Sequence, residues 1–219
     1  MLVKKLDLAI QSRNNANLSQ IRTVGVTDKK ILNALKIVDR AKFMPNCSVC
    51  LAYSDAYLEC EPGRTMFSFQ AIASILQFLK PTKHLKTMLV GGNYGYLAAV
   101  LSTLEIKPHI VESSPTLFAK CHEKLKKYAI ANICSHSLNL GMANDSPFDL
   151  IIMEIGANNI PEAIQNQLVE GGKIVACMCA DKCEIGIYLK LNGTLILEYS
   201  FAANMHLSSE MSVHENFNF

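Results

Sequence analysis

The chain has 219 residues, half of them hydrophobic, with eight cysteines and a formal net charge of +2 at pH 7. That apolar fraction suffices for a large core and lies far from the disordered class, and the near-neutral balance gives no electrostatic footing for a nucleic-acid partner. No apolar run is long enough to cross a bilayer, and Asp7 and Gln11 interrupt the start where a signal core would stand, so a cytoplasmic protein without membrane contact is expected.

In chain order, residues from about Leu2 to Ile21 read as helical, with Leu6, Ile10 and Leu18 on one face. Gly25-Val26-Thr27-Asp28 interrupts the pattern, and Thr27 or Asp28 is placed to cap a helix over Lys29–Val38. Pro45 ends that region. Ala52-Tyr53-Ser54-Asp55 and Glu61-Pro62-Gly63-Arg64 are turn-like, and Phe69–Leu79 carries Ile72, Ile75, Leu76 and Leu79 at helical spacing.

The chain then alternates strand and helix. Met88-Leu89-Val90 is a short apolar run of the kind a strand covered on both faces requires. It runs into Gly91, Gly92 and Gly95 and then a helix, a turn whose missing Cβ atoms allow close ligand approach. Pro108–Glu112 reads as a second strand. Ser113-Ser114-Pro115 opens a helix through Tyr128, Asn132–Ser135 is a third strand and Phe148–Glu154 a fourth. Ile160-Pro161-Glu162 starts a helix expected to continue through Leu168. Gly171-Gly172 then turns into a strand over Lys173–Met178, and Asn192-Gly193 joins two strands in a hairpin. Repeated βα units of this kind predict an α/β fold, a mostly parallel sheet with helices on both faces and a closing antiparallel hairpin. The expected layout is one domain over 1–219, an N-terminal helical region over 1–80 preceding a core over 81–219.

Glu112 ends its strand about twenty residues after the glycines, where a nucleotide-binding unit places a carboxylate to accept from ribose hydroxyls. This alone leaves NAD open, although Gly91-Gly92-Asn93-Tyr94-Gly95 does not fit G-x-G-x-x-G. Among the cysteines, Cys47 and Cys50 form one CxxC with a redox role open to them, and no second pair completes a zinc site. Cys177 and Cys179 fall in a predicted strand and are read as facing opposite sides of the sheet. No metal site is expected, and most of the cysteines are read as small buried hydrophobes. The six histidines show no ligand spacing.

A wider pattern emerges from motifs taken in order. Arg22-Thr23-x-Gly25-x-Thr27-Asp28, Leu32-x-Ala34, Arg40-x2-Phe43-x-Pro45, Ala52-Tyr53-x-Asp55 and Gly63-Arg64-Thr65 resemble the N-terminal region of protein-L-isoaspartate O-methyltransferases. Gly91-x3-Gly95-Tyr96-x-Ala98-Ala99-Val100-Leu101 resembles their S-adenosylmethionine loop. Pro147-Phe148-Asp149-x-Ile151, Ile160-Pro161-Glu162-Ala163, Gln167-Leu168 and Glu170-Gly171-Gly172 resemble the later core. The resemblance implies a seven-stranded Rossmann-like methyltransferase fold. It further implies methyl transfer from S-adenosylmethionine to isoaspartyl carboxylates in proteins or peptides. Gly91, Gly92, Asn93, Tyr94, Gly95, Tyr96, Glu112 and Ser137 would hold the cofactor, and Thr65, Ser68 and Asp55 would lie at the acceptor.

The departures from that family are specific. Its acceptor loop reads like G-Q-T-I-S, whereas this chain has Gly63-Arg64-Thr65-Met66-Phe67, with phenylalanine in the serine's place. Leu89 stands where an acid precedes the glycine turn, Asn93 replaces a glycine, and His136-Ser137-Leu138 replaces the G-D-G whose acid faces adenine. These changes set an alternative beside the enzyme: a binding or scaffold protein on a retired methyltransferase fold.

Overall fold

The computed structural model describes Gln11 and residues 21–44, 48–56 and 58–212. The expected first helix, Pro45 and Cys47 therefore fall almost wholly or wholly outside the described residues.

Helix α1 spans Lys29–Ile37, and Asp28 rather than Thr27 caps it, its carboxylate accepting from the N–H groups of Lys30 at 2.7 Å and Ile31 at 3.3 Å. A short helix α2 (Val49–Ala52) leads to an antiparallel pair that the sequence reading saw only as a turn: β1 (Leu58–Glu61) and β2 (Arg64–Met66), joined through Pro62-Gly63. Helix α3 covers Phe69–Leu79, the predicted bounds, with Ser68 as its N-cap.

The main sheet contains β3 (Thr87–Val90), β4 (His109–Glu112), β5 (Asn132–Ser135), β6 (Phe148–Ala157), β7 (Leu168–Cys179), β8 (Cys183–Leu191) and β9 (Thr194–Ala202). Its order is β5-β4-β3-β6-β7-β8-β9. The first five strands run parallel, and β8 and β9 join antiparallel through Asn192-Gly193, both at positive φ as a tight hairpin turn demands. Helices α4 (Tyr96–Thr103) and α5 (Pro115–Leu125) are the crossovers on one side. The winding reverses between β3 and β6, so the carboxyl end of β3 is the switch point at which open α/β sheets bind ligands.

Alternate residues of the parallel strands enter two different cores. Leu89, Ile110, Leu150 and Ile152 pack under α1, α3, α4 and α5. Met88, Val90, Val111, Ile151 and Met153 pack on the opposite face. Both faces being apolar, the strands read as unbroken hydrophobic runs. The second face is covered by short pieces: 3₁₀ turns at Leu138–Leu140 and Ser209–Met211 and a four-residue helix α6 (Glu162–Gln165).

Two local expectations are corrected. The helix after Pro161 stops at Gln165, because Leu168 already pairs with Phe148 at the start of β7, so Gly171-Gly172 lies within that strand. Cys177 and Cys179 are two apart on β7 and therefore share a face, their sulfur atoms 3.9 Å apart. Cys179 forms a disulfide with Cys183, and the three sulfurs lie within 4.8 Å of one another.

After β9 the chain returns over the sheet end. Ser208 donates to the carbonyl of Gly156 at 3.0 Å, and Leu207 bridges Gly156. A Cβ on Gly156 would stand 2.1 Å from the His206 carbonyl oxygen. Gly156→Ala is thus expected to push this returning segment off the sheet at a cost of about 1–3 kcal/mol. Urea unfolding with hydrogen exchange at residues 205–211 checks it, and unchanged stability and protection would contradict the packing described.

Candidate functional site

The glycine turn is built by backbone geometry. Gly91 and Gly95 both have φ +84°, in the left-handed region, and Asn93 adopts φ +49°. Gly92 is needed for space instead: a Cβ there would meet the Ile110 side chain at 2.6 Å. Asn93 is fully buried, and its side-chain amide donates to the Glu154 carbonyl at 3.0 Å, tying the turn to β6.

Glu112 stands at the end of β4, completely buried. Its carboxylate is fully engaged. Arg64, carried in by β2, donates Nη1 to Oε1 at 2.9 Å and Nη2 to Oε2 at 3.0 Å. The Asn93 N–H donates to Oε2 at 2.8 Å and the Ser114 N–H to Oε1 at 3.1 Å. Four donors match the roughly four acceptor positions of a carboxylate. Arg64 Nη2 also lies 3.4 Å from Asn93 Oδ1, and Nη1 reaches Ser113 Oγ at 3.3 Å and Glu210 at 3.1 Å. The two carboxylates beside it hold the Arg64 guanidinium firmly in its charged form, outweighing the burial that opposes charge.

A second buried ionic group lies deeper. Arg40 and Glu154 grip the peptide of Phe67 from both sides: Arg40 Nη2 donates to its carbonyl at 2.6 Å, and its N–H donates to Glu154 at 3.1 Å. Arg40 also stacks 4.8 Å above the Tyr96 ring. Burial raises the Glu154 carboxyl from its ordinary 4.5 to about 7, Arg40 and the Phe67 N–H only partly offsetting it.

On the far side of Phe67 opens a cavity of about 260 Å³, lined by Asp55, Phe67, Ser68, Gln70, Ser74 and Asn204 among others. The structure thus brings Asp55 and Ser68 together at one cavity. Ser68 Oγ caps α3 by accepting from Ala71 at 3.1 Å, and Asp55 is exposed at the rim. Thr65 is not among the lining residues given for it; its hydroxyl is buried without a hydrogen-bond partner among the described residues.

Of the residues expected at the cofactor, Gly91, Gly92, Asn93, Gly95 and Glu112 converge. Tyr94 uses its hydroxyl to donate to the Cys60 carbonyl at 2.9 Å, pinning β1. Tyr96 is completely buried, packed edge-on to Phe43. Ser137 is exposed and donates to Asn139 at 2.8 Å, although the neighbouring His136 N–H reaches the Glu112 carbonyl at 3.3 Å. Arg40, Glu154 and Arg64 were not singled out by sequence as site residues. The available signal was Arg64, an arginine beside a glycine where the resembling loop has glutamine.

The profile of the family described as Protein-L-isoaspartate(D-aspartate) O-methyltransferase (PCMT) matches residues 12–201. The chain belongs to this family. Among PCMT relatives, it is 32% identical over 157 residues to Protein-L-isoaspartate O-methyltransferase of Parvibaculum lavamentivorans, covering 71% of each chain. It is 29% identical over 167 residues to Protein-L-isoaspartate O-methyltransferase 1 of Syntrophobacter fumaroxidans, covering 75% of this chain and 78% of that one. The PCMT fold is seen in a solved protein-L-isoaspartate O-methyltransferase with a TM-score of 0.76 at 21% identity, over 90% of this chain and 65% of that one. A Plasmodium falciparum structure reported as a PCMT in complex with S-adenosyl-L-homocysteine gives 0.72 at 19% identity, over 89% and 96%. The family's methyltransferase fold and its cofactor class agree with the expectations from the motifs. Among the described residues no helix is long and apolar enough to cross a membrane.

Glu154 makes stability depend on pH with a definite sign. Its folded value lies above its unfolded one, so its contribution is fully present below about 4.5 and is lost as pH rises through about 7. Wild type should lose thermal stability relative to Glu154→Gln across that window. Parallel melting curves from pH 4 to 8 would contradict the assignment.

Proposed function

We propose that the chain is a protein carboxyl methyltransferase of the isoaspartyl-repair type, using S-adenosylmethionine and acting on damaged protein or peptide in the cytoplasm. The observation that carries this reading is the family match over residues 12–201 together with a buried carboxylate, Glu112, facing the glycine turn at the switch point. The turn fits the group: Gly91 has no Cβ where one would stand 3.1 Å from the Glu154 carbonyl oxygen, and Glu112 has the acceptor chemistry for a ribose diol. In the conformation described, Arg64 already fills those acceptor positions, so Glu112 serves the cofactor only with Arg64 displaced.

When bound, S-adenosylmethionine supplies a methyl group on a sulfonium, which a carboxylate oxygen can take by direct displacement. This chemistry needs positioning more than acid or base. In this reading the cavity beyond Phe67 receives the acceptor. The hydroxyls of Ser68 and Ser74 and the amides of Gln70 and Asn204 offer neutral donors to a carboxylate, and Asp55 at the rim accepts from peptide N–H groups. Phe67 forms the inner wall, its backbone fixed by Arg40 and Glu154.

Two measurements test the reading. Transfer of tritiated methyl to an isoaspartyl peptide, against the matching aspartyl peptide, should be seen only with the former; folded protein that transfers nothing above background sinks the repair activity. Asp55→Ala should raise the peptide KM about tenfold, the loss of roughly one charge-assisted hydrogen bond, while leaving S-adenosylhomocysteine affinity unchanged. An unaltered KM would remove Asp55 from the acceptor site.

A further inference from the structure

The guanidinium of Arg64 lies directly over the glycine turn. Its Nη2 would stand 3.3 Å from a Cβ on Gly91, and both its Nη atoms meet both oxygens of Glu112 in a fork-to-fork pair. With Asn93 and Ser114 donating as well, Glu112 has no acceptor position left for a ribose hydroxyl. The cofactor's ribose and Arg64 are therefore mutually exclusive on this carboxylate.

Arg64 is also held from outside. Glu210 accepts from Nη1 at 3.1 Å and is itself contacted by the Ser113 hydroxyl. Glu210 rides on the 3₁₀ turn Ser209–Met211 in the segment that returns after β9. That segment is fastened by the bonds of Ser208 to Gly156 and of Asn158 to the Met211 carbonyl at 3.4 Å. A carboxylate from the chain's closing segment thus completes a clamp on a cation that itself covers the ribose acceptor.

We propose that Arg64 is an internal competitor for the cofactor's place on Glu112, and that the segment over residues 203–212 acts through Glu210 as the strap that holds Arg64 there. The proposal rests on the S-adenosylmethionine reading above. It makes Arg64 a determinant of cofactor affinity: binding requires the arginine to withdraw, and the affinity measured is reduced by the fraction of molecules in which it has not.

The test is calorimetric titration of the full chain with S-adenosylhomocysteine, comparing wild type with Arg64→Gln and Glu210→Gln. Arg64→Gln should bind at least tenfold more tightly than wild type. Glu210→Gln keeps the Arg64–Glu112 pair and loosens only the strap, and should bind twofold to fivefold more tightly. Because Arg64→Gln weakens the pairing of a buried carboxylate and can fail to fold, a second measurement uses wild type. Labelling with an arginine-directed dicarbonyl, read by mass spectrometry, should increase severalfold at Arg64 when S-adenosylhomocysteine is saturating. Equal affinity in all three proteins, or Arg64 still protected with ligand bound, overturns the competitor and leaves the cofactor reading standing. Folded proteins that all fail to bind at millimolar ligand overturn both.

Discussion

The buried pair of Arg64 and Glu112 ties together parts of the chain that lie far apart in sequence. Arg64 belongs to a two-stranded hairpin outside the main sheet, Glu112 ends a central strand, and Glu210 comes from the last described turn. Neither charge of the pair can be removed cheaply. Leaving one partner of a buried ion pair alone costs about 3–5 kcal/mol, because desolvation of the remaining charge is then uncompensated. The same two charges bring much less net stability when both are present, since their attraction must first offset the loss of water. The pair therefore fixes where the hairpin sits more than it stabilises the fold.

That position has consequences one layer further in. Two residues after Thr65, the peptide of Phe67 is clasped by Arg40 on one side and Glu154 on the other. The seam between hairpin and sheet thus holds two guanidinium groups and two carboxylates, all essentially out of water. Their formal charges balance, which is the condition under which such a seam can be buried. Glu154 is the less well compensated acid: its one direct partner in the clasp is a backbone N–H, and its carboxyl is pushed up accordingly.

The parts of this arrangement that sequence revealed were those governed by local rules. Ile72, Ile75, Leu76 and Leu79 at helical spacing marked α3, and unbroken apolar runs marked β3 and β6 as strands covered on two faces. The glycines and Glu112 were legible because their spacing follows from one βα unit. Arg64 was not, since its partners lie 48 and 146 residues away and nothing periodic announces them. Its hairpin was missed because β1 and β2 are only four and three residues long, too short for an alternation to declare itself. The placing of Cys177 and Cys179 on opposite faces was a different kind of miss. The period of two on a strand already required a shared face, and the structure restores that rule.

One tripeptide of this chain links the glycine turn to the cavity beyond Phe67. In Arg64-Thr65-Met66, the arginine reaches the glycine turn while the strand it begins delivers Phe67 to the wall of the cavity. A backbone movement that withdraws Arg64 from Glu112 cannot leave Phe67 undisturbed, because three residues of extended chain span only about 10 Å and transmit displacement with little slack. Phe67 in turn is anchored by Arg40 and Glu154, so withdrawal must proceed by rotation of the Arg64 side chain or must loosen that clasp as well. The first route leaves the cavity wall intact and confines the change to the glycine turn. The second couples the glycine turn to the shape of the cavity through the backbone alone. Because the long arginine side chain can rotate about several bonds while the Phe67 peptide is held at both its N–H and its carbonyl, side-chain rotation disturbs fewer buried contacts and is the route the packing favours.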